Sequence, residues 1–270
     1  MKTLWVTNDL ARTLTPINPK TGRPGKSVPV ADPYDMYFTA DGKYAIVVAE
    51  ALERLDFRDP HTMALVHALH VPCKGVDHID FSADGRYFIA TCEFGSRQVK
   101  VDTATQSVVG SVPLPMAGGM PQDVKLSPDG RTFYVADMMA NGVYELDSHT
   151  MHIVGFIPTG RGAHGLYVSR DDRDLYVSNR LEDSISVIDL ATHRVVNKWQ
   201  LPGGGSPDMG NVSADGKVLW LSGRYDAVVY AIDTTRGNLL GRIPVGPGPH
   251  GLAVWPLPGR YSLGHTGILR

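Results

Sequence analysis

A tight bend of the pattern Ser/Thr-x-Asp-Gly-Lys/Arg recurs along this chain, and its period limits what the chain can become. Full copies span Thr39 to Lys43, Ser82 to Arg86, Ser127 to Arg131 and Ser213 to Lys217, with degenerate copies at Ser169 to Arg173 and Pro256 to Arg260. Measured at Gly42, Gly85, Gly130, Asp172, Gly216 and Gly259, the spacings are 43, 45, 42, 44 and 43 residues. Glycine in that column supplies the positive φ of a tight hairpin without steric cost, and aspartate tolerates it next best. A fixed period of this size is the mark of a repeat architecture.

Each period holds four short strand-like runs. One precedes the bend (Val124-Lys125-Leu126), one follows it (Phe133-Tyr134-Val135-Ala136), one alternates (Ser184-Ile185-Ser186-Val187-Ile188) and one ends the unit (Leu240-Gly241-Arg242-Ile243-Pro244-Val245). Runs three and four are joined by turns with Thr three residues after an Asp or Asn: Asp102 to Thr105, Asp147 to Thr150, Asp189 to Thr192 and Asn18 to Thr21. No helical periodicity competes. Four-stranded units at this period make propeller blades.

The chain therefore reads as all-β, a single β-propeller over residues 1–270 with six four-stranded blades. Five blades are complete, at about 31–72, 73–115, 116–160, 161–203 and 204–247. The sixth joins residues 2–30 to 248–270, with Gly251-Leu252-Ala253-Val254-Trp255 as its first strand, and closing the ring removes the exposed sheet edges. Seven blades would need a further set of strands. The tail Tyr261 to Arg270 is a second candidate for the strand of Leu4 to Asn8, or a lid on the axial funnel.

Leu4-Trp5-Val6-Thr7-Asn8, Leu175-Tyr176-Val177-Ser178-Asn179 and the blade ending Ile157-Pro158-Thr159-Gly160 resemble the YVTN-repeat β-propellers, the YncE-like group. The resemblance covers nearly the whole chain and implies the fold. It carries little about activity, because that group has surface, redox-partner and catalytic members. It implies a docking platform as readily as an active site.

The candidate site follows from where a blade's first strand runs. That strand lines the axis, so its entry residues open on one face, in the column Tyr34, Asp77, Gln122, His164, Asp208 and His250. The next column is Asp35, His78, Asp123, Gly165, Met209 and Gly251. The exits from the second strand add Asp9, Glu50, Glu93, Met138, Arg180 and Arg224. A structural column would be small or apolar. This one is mostly ionisable.

His78, His164 and His250 fall on alternate blades, 86 and 86 residues apart. Three neutral imidazoles converging on one axis suit a divalent transition metal, Zn, Cu, Fe or Ni, with a position left open. His78 lies one register later than the other two, so its ring faces the axis only if the strand entry is shifted. Asp77, Asp123 and Asp208 are the candidate catalytic bases, or partners that fix the histidine tautomers. Tyr34, Glu50, Glu93, Arg180 and Arg224 are candidate substrate-binding groups. The arginines suit a carboxylate or phosphate, and the acids an amine or an extended metal site. Haem held by an axial histidine is the weaker expectation, and the lack of a CxxCH excludes a covalently attached c-type haem. A non-metal role for the histidines, as loop braces or as acid/base groups, stays open.

Lys and Arg number 26 against 28 Asp and Glu, so no basic surface for nucleic acid arises. No apolar run approaches the roughly 20 residues of a membrane helix, and the first residues show no apolar signal core. A cytoplasmic protein is expected, with no nucleic-acid or membrane partner. Cys73 and Cys92 form no CxxC pair and no disulfide framework, and read as small buried hydrophobes.

Two functions of different class follow. One is a metal-binding enzyme acting on a small anionic molecule in the funnel, with lyase, isomerase, hydrolase and oxidase chemistry equally open. The other is a non-catalytic scaffold for a protein, peptide or cofactor-bearing partner.

Overall fold

The computed structural model describes residues 3–256. It is an all-β, six-bladed propeller whose paired strands all run antiparallel to their neighbours. Blades one to five are four-stranded meanders built from 35–70, 76–113, 121–158, 163–200 and 207–244. Among the described residues, no helix is long and apolar enough to cross a membrane.

The repeated bend works as a hydrogen-bonding unit. Thr39, Ser82, Ser127, Ser169 and Ser213 each donate to the aspartate two residues on, at 2.6–2.7 Å. The same aspartate accepts the amide of Lys43, Arg86, Arg131, Arg173 or Lys217. Gly42, Gly85, Gly130, Asp172 and Gly216 stand at φ of 60–75°, the left-handed conformation the column was expected to need. Gly259 and the tail from Tyr261 lie outside the described residues.

Burial falls from the axis outward. The inner strands Val76–Phe81, Pro121–Leu126 and Pro207–Val212 are buried at every residue; Pro121–Leu126 packs against Val76–Phe81 on one side and Ala163–Val168 on the other, and Ala163–Val168 packs in turn against Pro207–Val212. The outer strands, such as Leu65–His70, are mostly exposed. Rings from neighbouring blades meet in the seams, as where Phe57 of blade one meets Phe88 of blade two, while Tyr176 and Trp199 pack within blade four. Polar ties also cross the seams: the Leu126 amide donates to Asp80 Oδ2 (2.7 Å) and the Leu166 amide to Asp123 Oδ2 (2.8 Å).

The sixth blade carries Leu4–Asn8, Thr13–Ile17 and Val28–Pro29. Both chain ends meet here. Leu4 to Ala11 from one end and Gly248, His250, Gly251 and Ala253 from the other line a cavity of about 730 Å³ that also touches Tyr34 and Arg224. Residues 251–255, expected as this blade's first strand, form no strand among the described residues, where the blade's sheet has three strands; Gly251 and Ala253 line the cavity instead.

One expectation is corrected. Cys73 and Cys92 are buried, but they are joined in a disulfide across blade two. The inner strand pairs Val76 with Cys92, and the chain just before that pair brings Cys73 alongside. Sequence spacing carries no trace of this, because the contact depends on the register of two strands.

Candidate functional site at the propeller axis

The residues that reach the axis do so through a repeated fault in the inner strands. The ladder skips between Val76 and Ile79, Pro121 and Val124, Ala163 and Leu166, and Pro207 and Gly210. The two residues inside each skip are Asp77-His78, Gln122-Asp123, His164-Gly165 and Asp208-Met209, the two columns singled out in the sequence. A bulge releases residues from ladder pairing and re-aims their side chains. His78, one register off, thereby reaches the axis with the others.

Hydroxyls on the second strands repair the broken ladders. Thr91 Oγ1 accepts the His78 amide (3.0 Å). Ser178 Oγ accepts the Gly165 amide (2.8 Å) and donates to the Asp208 carbonyl of the next blade (2.8 Å). Ser222 Oγ likewise donates to the His250 carbonyl at 2.5 Å. These hydroxyls, missed in the sequence reading, carry one signal: Thr91, Ser178 and Ser222 are each the penultimate residue of a second strand.

The three imidazoles stand around one point. Ring centroids lie 5.8 Å apart for His78–His250, 5.8 Å for His164–His250 and 6.4 Å for His78–His164. His78 and His164 are fully buried. His164, Asp208 and His250 each offer one candidate ligand atom, all within 4.8 Å of one another.

His164 is held from both sides. Its Nδ1 lies 3.0 Å from Asp208 Oδ1, and its Nε2 meets Arg180 Nη2. Burial pushes its pKa down to about 3, against the pull of Asp208, so the ring is neutral at physiological pH. A neutral ring donates from Nδ1 to the carboxylate and leaves Nε2 as acceptor. Burial alone would raise Asp208, but His164, His250 and Arg180 outweigh it and hold the carboxyl well below the usual range. The Arg180 guanidinium lies 6.0 Å from the Tyr225 ring.

His78 belongs to a second group. Its Nδ1 faces Tyr37 Oη (3.3 Å) and Asp35 Oδ2 (3.4 Å), and its Nε2 lies 3.3 Å from Asp77 Oδ1. Burial, then the charges of Glu93 and Glu50, raise the Asp77 carboxyl well above its ordinary value. Glu50 is raised to about 8 by burial and by a hydrogen bond and charge from Glu93. Gln122 Nε2 donates to Glu93 Oε1 (3.1 Å). Tyr34 is raised by burial and then by Asp77, Glu50 and Glu93, while Arg224 opposes them. Asp123 is brought to a seam between blades, accepting the Val124 and Leu166 amides.

The family model of the YNCE-like beta-propellers matches residues 1–259. No curated protein matches the chain. Among solved structures, hydrazine synthase from Kuenenia stuttgartiensis superposes with TM-score 0.78 at 18% identity, over 93% of this chain and 86% of that one. Virginiamycin B lyase from Staphylococcus aureus gives TM-score 0.76 at 16% identity, over 92% and 83%. A streptogramin B lyase gives 0.78 at 14%, over 93% and 83%. Likeness at this identity speaks for the fold alone.

Proposed function

The chain belongs to the YNCE-like β-propeller family, and from that premise we propose that its axial funnel is a metal-dependent site acting on a small anionic molecule. The observation that carries this reading is the ring of His78, His164 and His250 at 5.8–6.4 Å, closed by an Asp208 whose Oδ2 is buried without a hydrogen-bond partner. A buried carboxylate oxygen with nothing donating to it is a place where a cation gains most. His164, His250 and Asp208 are the proposed ligands, and His78 faces them. A divalent transition metal held there would supply Lewis acidity or an activated water.

The protein's own groups do the rest. Asp77, raised by burial and then by the charges of Glu93 and Glu50, is suited to carry a proton beside the metal site. Arg224, on the wall of the cavity that also holds His250, is the group suited to a substrate carboxylate or phosphate. Arg180 is committed to His164 and Asp208 and balances the charge that a metal would otherwise neutralise. Asp123 acts as a brace between blades.

The test is elemental analysis of untagged protein beside folded His164→Ala and His250→Ala variants. The reading expects near-stoichiometric transition metal, lost in both variants. Protein that neither retains nor takes up Zn, Cu, Fe or Ni would sink it.

A second reading, a docking scaffold, is favoured by the hairpin turns after the second strands. In all six blades the fourth turn residue has positive φ: Arg12, Glu53, Ser96, Asn141, Asp183 and Ala227. In five of them the second turn residue is an exposed Leu10, Phe94, Met139, Leu181 or Tyr225. Apolar tips repeated around one face are the anchors that a partner would use.

A further inference from the structure

The mouth of the funnel is divided by charge, and one half lacks its counter-ions. Glu50 and Glu93 sit on blades one and two beside Asp77, while Arg180 and Arg224 sit on blades four and five. Arg180 is already paired with Asp208. Among the described residues no lysine or arginine forms an ion pair with Glu50, Glu93 or Asp77. The polar contacts they have are the Glu50–Glu93 hydrogen bond, Gln122 on Glu93, and His78 Nε2 at 3.3 Å from Asp77 Oδ1. Asp77 is fully buried, and neither of its carboxylate oxygens accepts a hydrogen bond. Its strongest charge neighbours are Glu93 and Glu50, so the orphaned carboxyl stands within the acidic group.

We propose that this corner, formed by Asp77, Glu50, Glu93 and Tyr34, binds the protonated amine of a substrate that is dipolar, with its anionic end toward Arg224. The inference rests on the anion-binding reading of the funnel and adds the second charged end. Two observations select an organic ammonium over a bare metal ion. The described His/Cys/Asp/Glu group whose ligand atoms all fall within 4.8 Å is His164, Asp208 and His250, so the acids of this corner are spread too widely to close around a small ion. An ammonium bridges wider carboxylates through separate N–H donors. The corner also has an aromatic wall, since the Tyr34 ring lies 6.4 Å from His78 and 5.7 Å from His250, and aromatic faces attract ammonium but add little to a hard metal ion. A molecule that spans from Tyr34 to Arg224 along the shared cavity carries its opposite charges at opposite ends, as amino acids and short peptides do.

The test is titration calorimetry with benzylammonium, benzyl alcohol, phenylalanine and phenylalaninamide as probes. The proposal expects saturable benzylammonium binding in the millimolar range and none of the alcohol. Asp77→Asn and Glu93→Gln should each weaken benzylammonium about tenfold or more, with the fold unchanged by circular dichroism. Phenylalanine should bind more tightly than its amide, and Arg224→Ala should erase that difference. Equal binding of the alcohol, no saturation at tens of millimolar, or variants without effect would each overturn the ammonium corner. Loss of the acid–amide difference alone would fault the anion reading of Arg224, so the two failures are told apart.

Discussion

Arg180 grips Asp208 by one oxygen: Nε at 3.0 Å and Nη2 at 2.6 Å both donate to Oδ1, while Oδ2 is buried with no partner. The same guanidinium meets Nε2 of His164. A fixed internal cation therefore stands where the metal reading needs a ligand position, and the two compete.

That competition gives the first prediction. Removing one member of a buried ion pair costs about 3–5 kcal/mol, because the remaining charge is stranded. Arg180→Ala should lower Tm by on the order of 10 °C for a chain of this size. Added Zn²⁺ should restore much of that loss in the variant and do less for the parent, as followed by calorimetry. A Zn²⁺-independent loss would count against His164, His250 and Asp208 as ligands.

The Cys73–Cys92 bridge closes a loop with sequence separation 19. A loop of that length restrains the unfolded chain by about 3 kcal/mol in the entropic account. Cys92→Ser, or reduction, should lower the urea midpoint accordingly. Protein alkylated at the moment of cell lysis should yield no free thiol if the bridge forms where the protein works. Two reactive thiols would instead place it in a reducing compartment, where such bridges are rare.

Ser178 Oγ joins the Gly165 amide of blade four to the Asp208 carbonyl of blade five. Ser178→Ala strands the buried Gly165 amide, at about 1–3 kcal/mol, and leaves the Asp208 carbonyl only the longer contact from Tyr167 Oη (3.4 Å). Stability should fall by at least that amount. Metal retention should fall with it, since His164 and Asp208 flank the bridge. Unchanged metal content in a destabilised variant would confine the hydroxyl to folding alone.

Glu50 makes stability depend on pH in a defined window. Its carboxyl is raised from 4.5 to about 8 by burial and by Glu93, so the folded state holds a proton that the unfolded state has lost. The unfolded chain binds fewer protons between those values, and stability must fall as pH rises across them. The contribution is full below 4.5, lost through 8 and constant above. Glu50→Gln should flatten that part of the Tm–pH curve and leave the variant the more stable at pH above 8. Parallel curves for parent and variant would contradict the raised carboxyl.

The period near 43 and the Ser/Thr-x-Asp-Gly bend were enough to read the fold, since each bend is closed by contacts within five residues of its own start. The entry columns were legible for the same reason, as one residue per repeat. What could not be read was orientation. His78 sits one register later than His164 and His250, and the ladder skips at the entries of blades two and four, which free both residues of each pair, remove the objection. The acids were also indistinguishable in the sequence. Asp77, Asp123 and Asp208 are alike as entry residues, yet one lacks a hydrogen-bond donor to either oxygen, one accepts two amides and one is gripped by Arg180.

The sequence by itself determined the architecture, because propeller blades are made by local hairpins whose turns, alternation and spacing are all short-range. It also narrowed the candidates for the axis to two entry columns, without saying which of the two a blade would use. The tertiary structure alone decided what those residues do there. The pairing of Cys73 with Cys92, the clasp of Arg180 on Asp208 and the donor-poor corner around Asp77 join groups set 19, 28 and up to 59 residues apart, the last counted from Tyr34 to Glu93. Charges and hydrogen bonds act over ångströms in space, and only closing the ring sets those distances.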